Sequence, residues 1–294
     1  MEQVFQQLIN GLSLGGIYAL IALGYTMVYG IIGLINFAHG DIYMVGAYVG
    51  YALTTFLGLG LLPSIVLAMA ICSILGMAIE KVAYKPLRNS PRISALITAI
   101  SVSLFLQYTM MYFVGPQTRT FPEVLKSSSI RLLDGKVVLD IKNLIIVGIT
   151  VVLMVALQYI VKKTKMGKAM RAASLDMDAA ELMGVNVDRI ISFTFLIGSA
   201  LAGAAGVLVG VYYNTINPLM GSLPGIKAFV AAVLGGIGVI PGAVFGGFAL
   251  GMIETIISAY GGSVFKDAVS FIALILVLLV KPNGLLGRTL REKV

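Results

Sequence analysis

Two charged residues, Lys227 and Glu254, lie inside apolar stretches of the chain, where an ionisable side chain is a functional candidate by default. Lys227 precedes Ile240 by 13 residues, and Glu254 follows Pro241 by 13 residues. If residues 240–242 form the bend of a helical hairpin, a rise of about 1.5 Å per residue places both side chains roughly 20 Å from the bend, near the outer side. We therefore predict that they pair. Pairing offsets the cost of removing the charges from water, which favours a structural ion pair over a proton relay.

A second polar cluster, Asn36-Phe37-Ala38-His39-Gly40-Asp41, contains the single histidine of the chain. Its polar members, Asn36, His39 and Asp41, could line a pathway through the molecule or brace a gate. The alternative is a turn at the cytoplasmic end of a helix, where His39 caps helix carbonyls and Asp41 favours the positive N-terminus of the next helix. The physical chemistry of these residues favours the turn.

A glycine-rich run contains Gly235, Gly236 and Gly238 and superficially suggests a phosphate-binding loop. Neither Lys-Ser/Thr nor a strand–helix context follows it, so we expect a broken helix or close packing near a pathway instead. No Ser-His-Asp, paired-carboxylate or metal arrangement forms at a useful spacing. One cysteine, Cys72, excludes an internal disulfide. The sequence therefore predicts neither an enzyme nor a metal or cofactor site.

The elements that position these residues are membrane spans. Apolar residues make up 59% of the 294 residues and charged residues 12%, and the mean hydropathy is +0.98. Residues 3–40 and 42–79 contain no Lys, Arg, Asp or Glu, and each window exceeds the roughly 20 residues that one span needs. We predict an all-α polytopic membrane protein with a single transmembrane domain over residues 1–294.

Nine apolar stretches are candidate spans, including short broken or re-entrant segments. They are Leu8–Leu34, Ile42–Leu57, Leu62–Ala83, Ile93–Val114, Asn143–Val161, Ile190–Tyr213, Gly225–Val239, Gly242–Tyr260 and Val264–Val280. Eight crossings follow instead if a segment of 225–260 is re-entrant or if the first stretch divides differently. Residues 40–50 and 236–247 are the most similar pair of segments in the two halves and suggest an internal repeat.

Basic residues give the orientation. The net charge of +8 comes from loops beside the apolar stretches, which indicates the positive-inside rule rather than binding to nucleic acid. The basic turn 81–92, the loop 162–189 and the tail after residue 280 are therefore placed in the cytoplasm. Nine crossings then put the N-terminus outside. Loop 115–142 also lies outside, despite its five basic residues.

The loop 162–189 is the most concentrated polar stretch, with five basic residues among 162–171. Ser174 is expected to cap a short helix, whose first turn carries Asp176 and Asp178 where acids suit the positive helix end. Gly184 is expected to end that helix in the left-handed conformation.

The predicted short helix is amphipathic. Leu175, Ala179 and Leu182 recur at i, i+4 and i+7 and form an apolar face opposite Glu181. Such a helix on a basic loop can dock into a groove of a partner. It can also lie passively on the membrane surface, and the physical argument leaves both possibilities open.

The segment Asp178-Ala179-Ala180-x-x-x-Gly184 resembles the acid-Ala-Ala-x-x-x-Gly loop of ATP-binding-cassette (ABC) importer permeases, which engages the ATPase subunit. The hydrophobic-x-Leu-Pro ending of that loop is absent, which points to the branched-chain amino-acid branch, the LivH type. The opening from Gly15-Gly16-x-Tyr18-Ala19-Leu20 through Asn36–Asp41 and the stretch Lys281-Pro282-Asn283-Gly284-Leu285 are also similar to that family.

The resemblance implies a permease in the plasma (inner) membrane of a bacterium or archaeon. Its implied partners are a second permease of LivM type, two cytoplasmic ATPase subunits, an extracytoplasmic amino-acid-binding protein and membrane lipid. Closure of the ATPases on ATP would drive alternating access through the helix around 175–183. The implied docking residues are Leu175, Asp176, Asp178, Ala179, Ala180, Glu181, Leu182 and Gly184. The chain has no Walker lysine, so partner subunits would bind the ATP.

Two other functions remain open at this point. Permeases for urea and short amides belong to the same broad family. A stand-alone channel or secondary transporter would also explain the spans and the predicted pair Lys227–Glu254, but it would not explain the docking helix.

Overall fold

The computed structural model describes residues 2–88, 90–125, 129–132 and 137–287. Its α-helices are α1 (Glu2–Ile32), α2 (His39–Phe56), α3 (Leu61–Ile79), α4 (Arg92–Val114), α5 (Ile141–Lys163), α6 (Lys165–Leu175), α7 (Met177–Leu182), α8 (Val187–Tyr213), α9 (Ser222–Gly235), α10 (Ile240–Tyr260) and α11 (Lys266–Val280). Its strands are β1 (Arg119–Thr120), β2 (Ser129–Leu132), β3 (Val137–Asp140) and β4 (Thr215–Ile216). A π-helical turn (Glu80–Tyr84) and a 3-10 turn (Lys85–Leu87) follow α3.

Each of the nine predicted apolar stretches forms a helix, namely α1–α5 and α8–α11. Within the described residues, six helical segments are long and apolar enough to cross a bilayer: α1, α3 with its following turns, α4, α5, α8 and α10. The helices α2, α9 and α11 are shorter, with 18, 14 and 15 residues. The predicted all-α polytopic membrane fold is confirmed, and the number of crossings depends on these three shorter helices.

The helices α1 and α8 form the centre of the molecule. In their most apolar windows 83% and 94% of the residues are buried, whereas only 22% are buried in α4 and in α5. Small residues make this close packing possible, since a β-carbon on Gly46 of α2 would collide with the backbone of Gly203 of α8. The exposed apolar faces of α4 and α5 are left for lipid or other membrane chains.

Two irregular connections repeat one backbone pattern. The segment 33–41 after α1 reads GLINFAHGD, and the segment 214–222 after α8 reads NTINPLMGS. Each begins on a left-handed residue, Gly33 (φ +70°) and Asn214 (φ +55°). The turn hydrogen bonds also correspond. The N–H of His39 donates to the carbonyl of Asn36 in the first segment, and the N–H of Met220 donates to the carbonyl of Asn217 in the second, at 3.1 Å in both. The two connections therefore form equivalent helix breaks.

The equivalence extends to the neighbouring helices. The helices α1, α2 and α3 form one unit, and α8, α9 and α10 form the other. The first helix of each unit packs on the third helix of the other, so that α1 contacts α10 and α8 contacts α3. The helix after each break packs on the first helix of the other unit, so that α2 contacts α8 and α9 contacts α1. The repeat that the packing shows therefore relates 33–41 to 214–222 and differs from the predicted pair 40–50 and 236–247. The two observed segments share a turn geometry, whereas the prediction was based on glycine content.

Contacts between loops define the two ends of the molecule. At the end that the sequence predicts to be the outer one, β1 pairs antiparallel with β4, and β2 pairs with β3 inside the predicted outer loop. At the other end Arg88 forms an ion pair with Asp188, which joins the basic turn 81–92 to the loop 162–189. Residues 288–294 of the basic tail lie outside the described residues.

Candidate functional site

The predicted docking loop is a pair of short helices rather than one. Thr164 caps α6 by accepting a hydrogen bond from the N–H of Gly167 at 3.0 Å. Asp176 caps α7 by accepting from the N–H of Ala179 at 2.9 Å. The prediction of Ser174 as the cap is wrong, because its hydroxyl donates to the carbonyl of Arg171 in the last turn of α6. The good helix formers of 165–173 carry α6 through that serine, and the extended Asp176 then starts a new helix.

The end of α7 agrees with the sequence prediction. Gly184 has a φ of +83°, and its N–H donates to the carbonyl of Glu181 at 2.9 Å. The N–H of Val185 donates to the carbonyl of Ala180 at 3.0 Å. Asn186 then caps α8 by accepting from the N–H of Arg189 at 3.0 Å. The chain thus passes from α7 to α8 through a compact, hydrogen-bonded turn.

This helix pair carries three exposed, large apolar side chains, Leu175, Leu182 and Met183, which are together named the docking patch. These are 78%, 90% and 85% exposed. Leu175 belongs to the end of α6, so the predicted single apolar face over one helix is wrong, although its two leucines are both exposed. Ala180 is buried against the rest of the chain. Large apolar side chains this exposed mark a contact surface when they cluster.

The acidic members of the predicted docking set lie in the same segment as this patch and are also exposed. Asp176, Asp178 and Glu181 are exposed, as is Ala179. The sequence therefore places three carboxylates and three large apolar side chains on six exposed positions of one short segment. Polar residues around an apolar centre are the usual anatomy of a protein–protein contact.

Lys227 and Glu254 lie together as predicted. The Nζ of Lys227 is 2.9 Å from Oε1 of Glu254, and both residues are 2% exposed. The bend between α9 and α10 lies at Gly236 and Gly238, which have φ values of +113° and +84°, rather than at the predicted 240–242. Glycine tolerates these left-handed values, whereas Pro241 fits the first turn of α10.

Three further residues contact this buried pair, namely Tyr18, Asp267 and Lys266, and sequence reasoning missed them. The hydroxyl of Tyr18 in α1 donates to Oε2 of Glu254 at 2.8 Å. Asp267 in the first turn of α11 lies 2.5 Å from the Nζ of Lys227. Asp267 is the acid at the start of the last apolar stretch, and that position was the available sequence signal. Pairing with the carboxylates of Glu254 and Asp267 accounts for a lysine in an apolar setting.

The turn predicted at Asn36–Asp41 is present, and Asp41 lies in the first turn of α2 as predicted. The cluster is buried inside the chain, however, rather than placed at the end of a helix. The ring of His39 occupies the space beside Gly24, where a β-carbon would collide with it. Gly24 is eight residues before the end of α1, which is roughly 12 Å along the helix. Glycines at the crossing leave room for the connection to fold back between the central helices.

Hydrogen bonds tie this cluster to the π-helical turn after α3 and to α4, and through Gln107 to α9. Oδ1 of Asn36 accepts from the hydroxyl of Tyr84 at 2.8 Å. Oδ1 of Asp41 accepts from Nε2 of Gln107 at 2.9 Å, and the same Nε2 lies 3.1 Å from the hydroxyl of Ser222. The two helix breaks touch directly here, since a β-carbon on Gly40 would collide with the carbonyl oxygen of Gly221. Asn36, His39 and Asp41 are all 1–2% exposed.

The glycine run 234–238 is a closely packed helix break, one of the two alternatives that the sequence indicated. Gly235 packs against Gly242 across the α9–α10 bend. Gly238 faces Gly30 of α1. The backbone N–H of Leu285 donates to the carbonyl of Leu234 at 2.9 Å, which closes the described part of the tail over the bend.

A charged cluster that joins the basic turn 81–92 to the start of α8 was not predicted. Glu80 in the π-helical turn is fully buried and contacts Arg88. Arg88 also contacts Asp188, and the Nζ of Lys85 lies 2.7 Å from Oδ2 of Asp188. Glu80 ends the second charge-free window of the sequence, and that position was the signal that could have identified it.

A family model described as "Branched-chain amino acid transport system / permease component" matches residues 7–278. The chain belongs to this permease family. It is 47% identical to the high-affinity branched-chain amino acid transport system permease protein LivH of Salmonella typhimurium, over 98% of this chain and 97% of that protein. It is 46% identical to LivH of Escherichia coli K12 and to BraD of Pseudomonas aeruginosa, with the same two shares covered. The resemblance drawn from the loop and the opening residues is confirmed.

The family match covers nearly all of the described helices. The matched range runs from within α1 to within α11 and includes α6, α7 and the buried clusters. These relatives carry names of transport permeases.

Proposed function

We propose that this chain is the transmembrane permease subunit of an ATP-driven importer of branched-chain amino acids in a bacterial or archaeal plasma membrane. The observation that carries the proposal is the 46–47% identity to LivH and BraD permeases along nearly the full length of both chains. An all-α membrane fold with six long apolar spans in its described residues supports it.

ATP is bound and hydrolysed by two partner ATPase subunits, which contact the docking patch. The exposure of Leu175, Leu182 and Met183 beside a basic cytoplasmic segment supports this assignment. The sequence itself contains no Gly-x-x-x-x-Gly-Lys-Ser/Thr loop. A second permease of LivM type covers part of the exposed apolar surface of the spans, and an extracytoplasmic binding protein delivers the amino acid.

The two equivalent helix breaks serve as the gate region of the transport cycle. The break containing Asn36, His39 and Asp41 contacts the break at 214–222 through Gly40 and Gly221. Irregular backbone in the middle of a membrane protein typically lies at the moving or binding elements of transporters. Gly235, Gly236 and Gly238 form a third break near the cytoplasmic end and allow α9 to move relative to α10.

Uptake by proteoliposomes tests this function. The permease is purified with the subunits encoded beside it, reconstituted with ATP inside, and supplied with its binding protein and labelled leucine. The proposal predicts leucine uptake that requires ATP and is competed by isoleucine and valine. Uptake of urea or a short amide instead would reassign the substrate, and uptake without ATP would overturn the proposal.

A further inference from the structure

Four charged residues at the cytoplasmic end form a continuous chain of contacts. Glu80 contacts Arg88, Arg88 contacts Asp188, and Lys85 also contacts Asp188. Burial changes along this chain: the side chain of Glu80 is 0% exposed, that of Arg88 18% and that of Asp188 51%. The contacts therefore lead from the solvent-exposed start of α8 to the interior of the bundle.

The buried end of this chain of contacts, Glu80, links the π-helical turn to α8 and to the break after α1. Oε2 of Glu80 accepts a hydrogen bond from the hydroxyl of Ser192 in α8 at 2.7 Å. Glu80 and Tyr84 lie in the same π-helical turn, and Tyr84 donates to Asn36 at the break between α1 and α2. Single π-helical turns are rare and occur frequently at functional sites. A shift of this turn would displace both the end of α3 and the break after α1.

The exposed end of this chain of contacts, Asp188, is connected to α7, the docking helix. Asp188 lies in the first turn of α8, four residues after Gly184, which ends α7. Hydrogen bonds fix the intervening turn, from Val185 to Ala180 and from Arg189 to Asn186. A movement of α7 against a partner is therefore passed to the backbone around Asp188 rather than absorbed by a loose linker.

We propose that Glu80, Arg88 and Asp188 are positioning residues that couple the docking helix to the end of α3 and the break after α1. This inference rests on the proposed function, because it assigns the route by which ATPase movement reaches the spans. Arg88 is the central member, since its guanidinium contacts both carboxylates. Planar guanidinium donors suit such a double contact better than an ammonium group does.

The test measures coupling, defined as leucine transported per ATP hydrolysed by the reconstituted complex. Glu80→Gln keeps the shape of the buried side chain and a hydrogen bond to Ser192 but removes the ionic contact with Arg88. The expected result is unchanged binding of the ATPase subunits with coupling lowered roughly tenfold, within the usual range of coupling between sites. Arg88→Gln is expected to lower coupling by a similar factor.

Lys85→Gln is the matched control. It removes a cation from the same Asp188, but the Lys85–Asp188 pair is half exposed and does not reach Glu80. Exposed pairs contribute little, so coupling should change by less than about twofold. The double variant Glu80→Gln/Arg88→Gln carries no unpaired buried charge, which separates coupling from misfolding. Its coupling should match that of the single variants rather than fall further.

The outcomes distinguish this inference from the proposed function. Wild-type coupling in an assembled Glu80→Gln or double-variant complex would overturn the inference and leave the function intact. A wild type that binds no ATPase subunits and transports without ATP would overturn the proposed function. If the variants lower leucine transport and ATP hydrolysis in equal proportion, as a loss of folded protein does, the cluster is structural and the inference fails.

Discussion

At the scale of single residues, buried charge is the feature that sequence reasoning identified best. Lys227 and Glu254 stand out because each interrupts an apolar stretch, and a charge in that position requires a partner. Their partner Tyr18 is 236 residues from Glu254 in the chain and gives no comparable signal. A tyrosine in an apolar helix is common, so only the packing of α1 on α10 reveals its role.

The network around Lys227 gives a stability prediction. Lys227→Met leaves Glu254 buried with Tyr18 and with Lys266, whose Nζ is 3.7 Å away. Removing one partner of a buried pair lowers the free energy of unfolding by about 3–5 kcal/mol. Circular dichroism during heating in detergent should show a lower midpoint for Lys227→Met than for wild type.

The matched control is Lys266→Met, because Lys266 faces the same carboxylate from a partly exposed position. Its expected effect is below about 1 kcal/mol. Adding Glu254→Gln to Lys227→Met removes the unpaired charge and should recover part of the lost stability. Wild-type unfolding of Lys227→Met would refute the structural role of the pair.

At the scale of elements, the nine apolar helices and the break at the glycine run 234–238 could be predicted, but the positions of the other helix boundaries could not. Hydropathy locates a span because burial in lipid demands a long apolar run. The position of the α6–α7 boundary depends instead on a competition between two possible caps, Ser174 and Asp176. The sequence pattern predicted only Ser174 as the cap, whereas the extended Asp176 caps α7 in the structure.

The observed cap of α7 predicts a difference between these two neighbours. Asp176→Ala removes the acceptor for the N–H of Ala179, and the loss of an N-cap costs about 1 kcal/mol. If α7 must be helical to bind, the affinity for the ATPase subunit should fall roughly fivefold. Binding of the purified ATPase to the permease in detergent measures this effect.

Ser174→Ala is the control for this prediction, because its hydroxyl bonds only within α6. It should bind the ATPase like wild type. Equal losses in both variants would indicate that the helix boundary at Asp176 has no part in binding.

At the scale of the whole molecule, packing reveals an organisation that composition did not. The repeated breaks at 33–41 and 214–222 share only Ile-Asn and a glycine at corresponding positions. That similarity is too short to identify by sequence comparison of the two halves alone. The exchange of partners, with α1 on α10 and α8 on α3, makes the two units structurally dependent on each other. Because each unit packs on the other, we expect the two units to function as one permease body.

We propose that the permease depends on partner ATPases that bind it through the docking patch. Leu182 is 90% exposed at the end predicted to be cytoplasmic, and Leu219 is 52% exposed in the turn before α9. Changing either to Glu removes an exposed apolar side chain without opening a cavity. Only the first change alters the docking patch.

The decisive measurement is the amount of ATPase subunit that co-purifies with each permease variant in mild detergent, quantified by mass spectrometry. The account predicts that wild type and Leu219→Glu retain the ATPase subunits, whereas Leu182→Glu loses most of them while remaining folded by circular dichroism. Full retention by Leu182→Glu, or a wild type that purifies without ATPase subunits, would contradict the account.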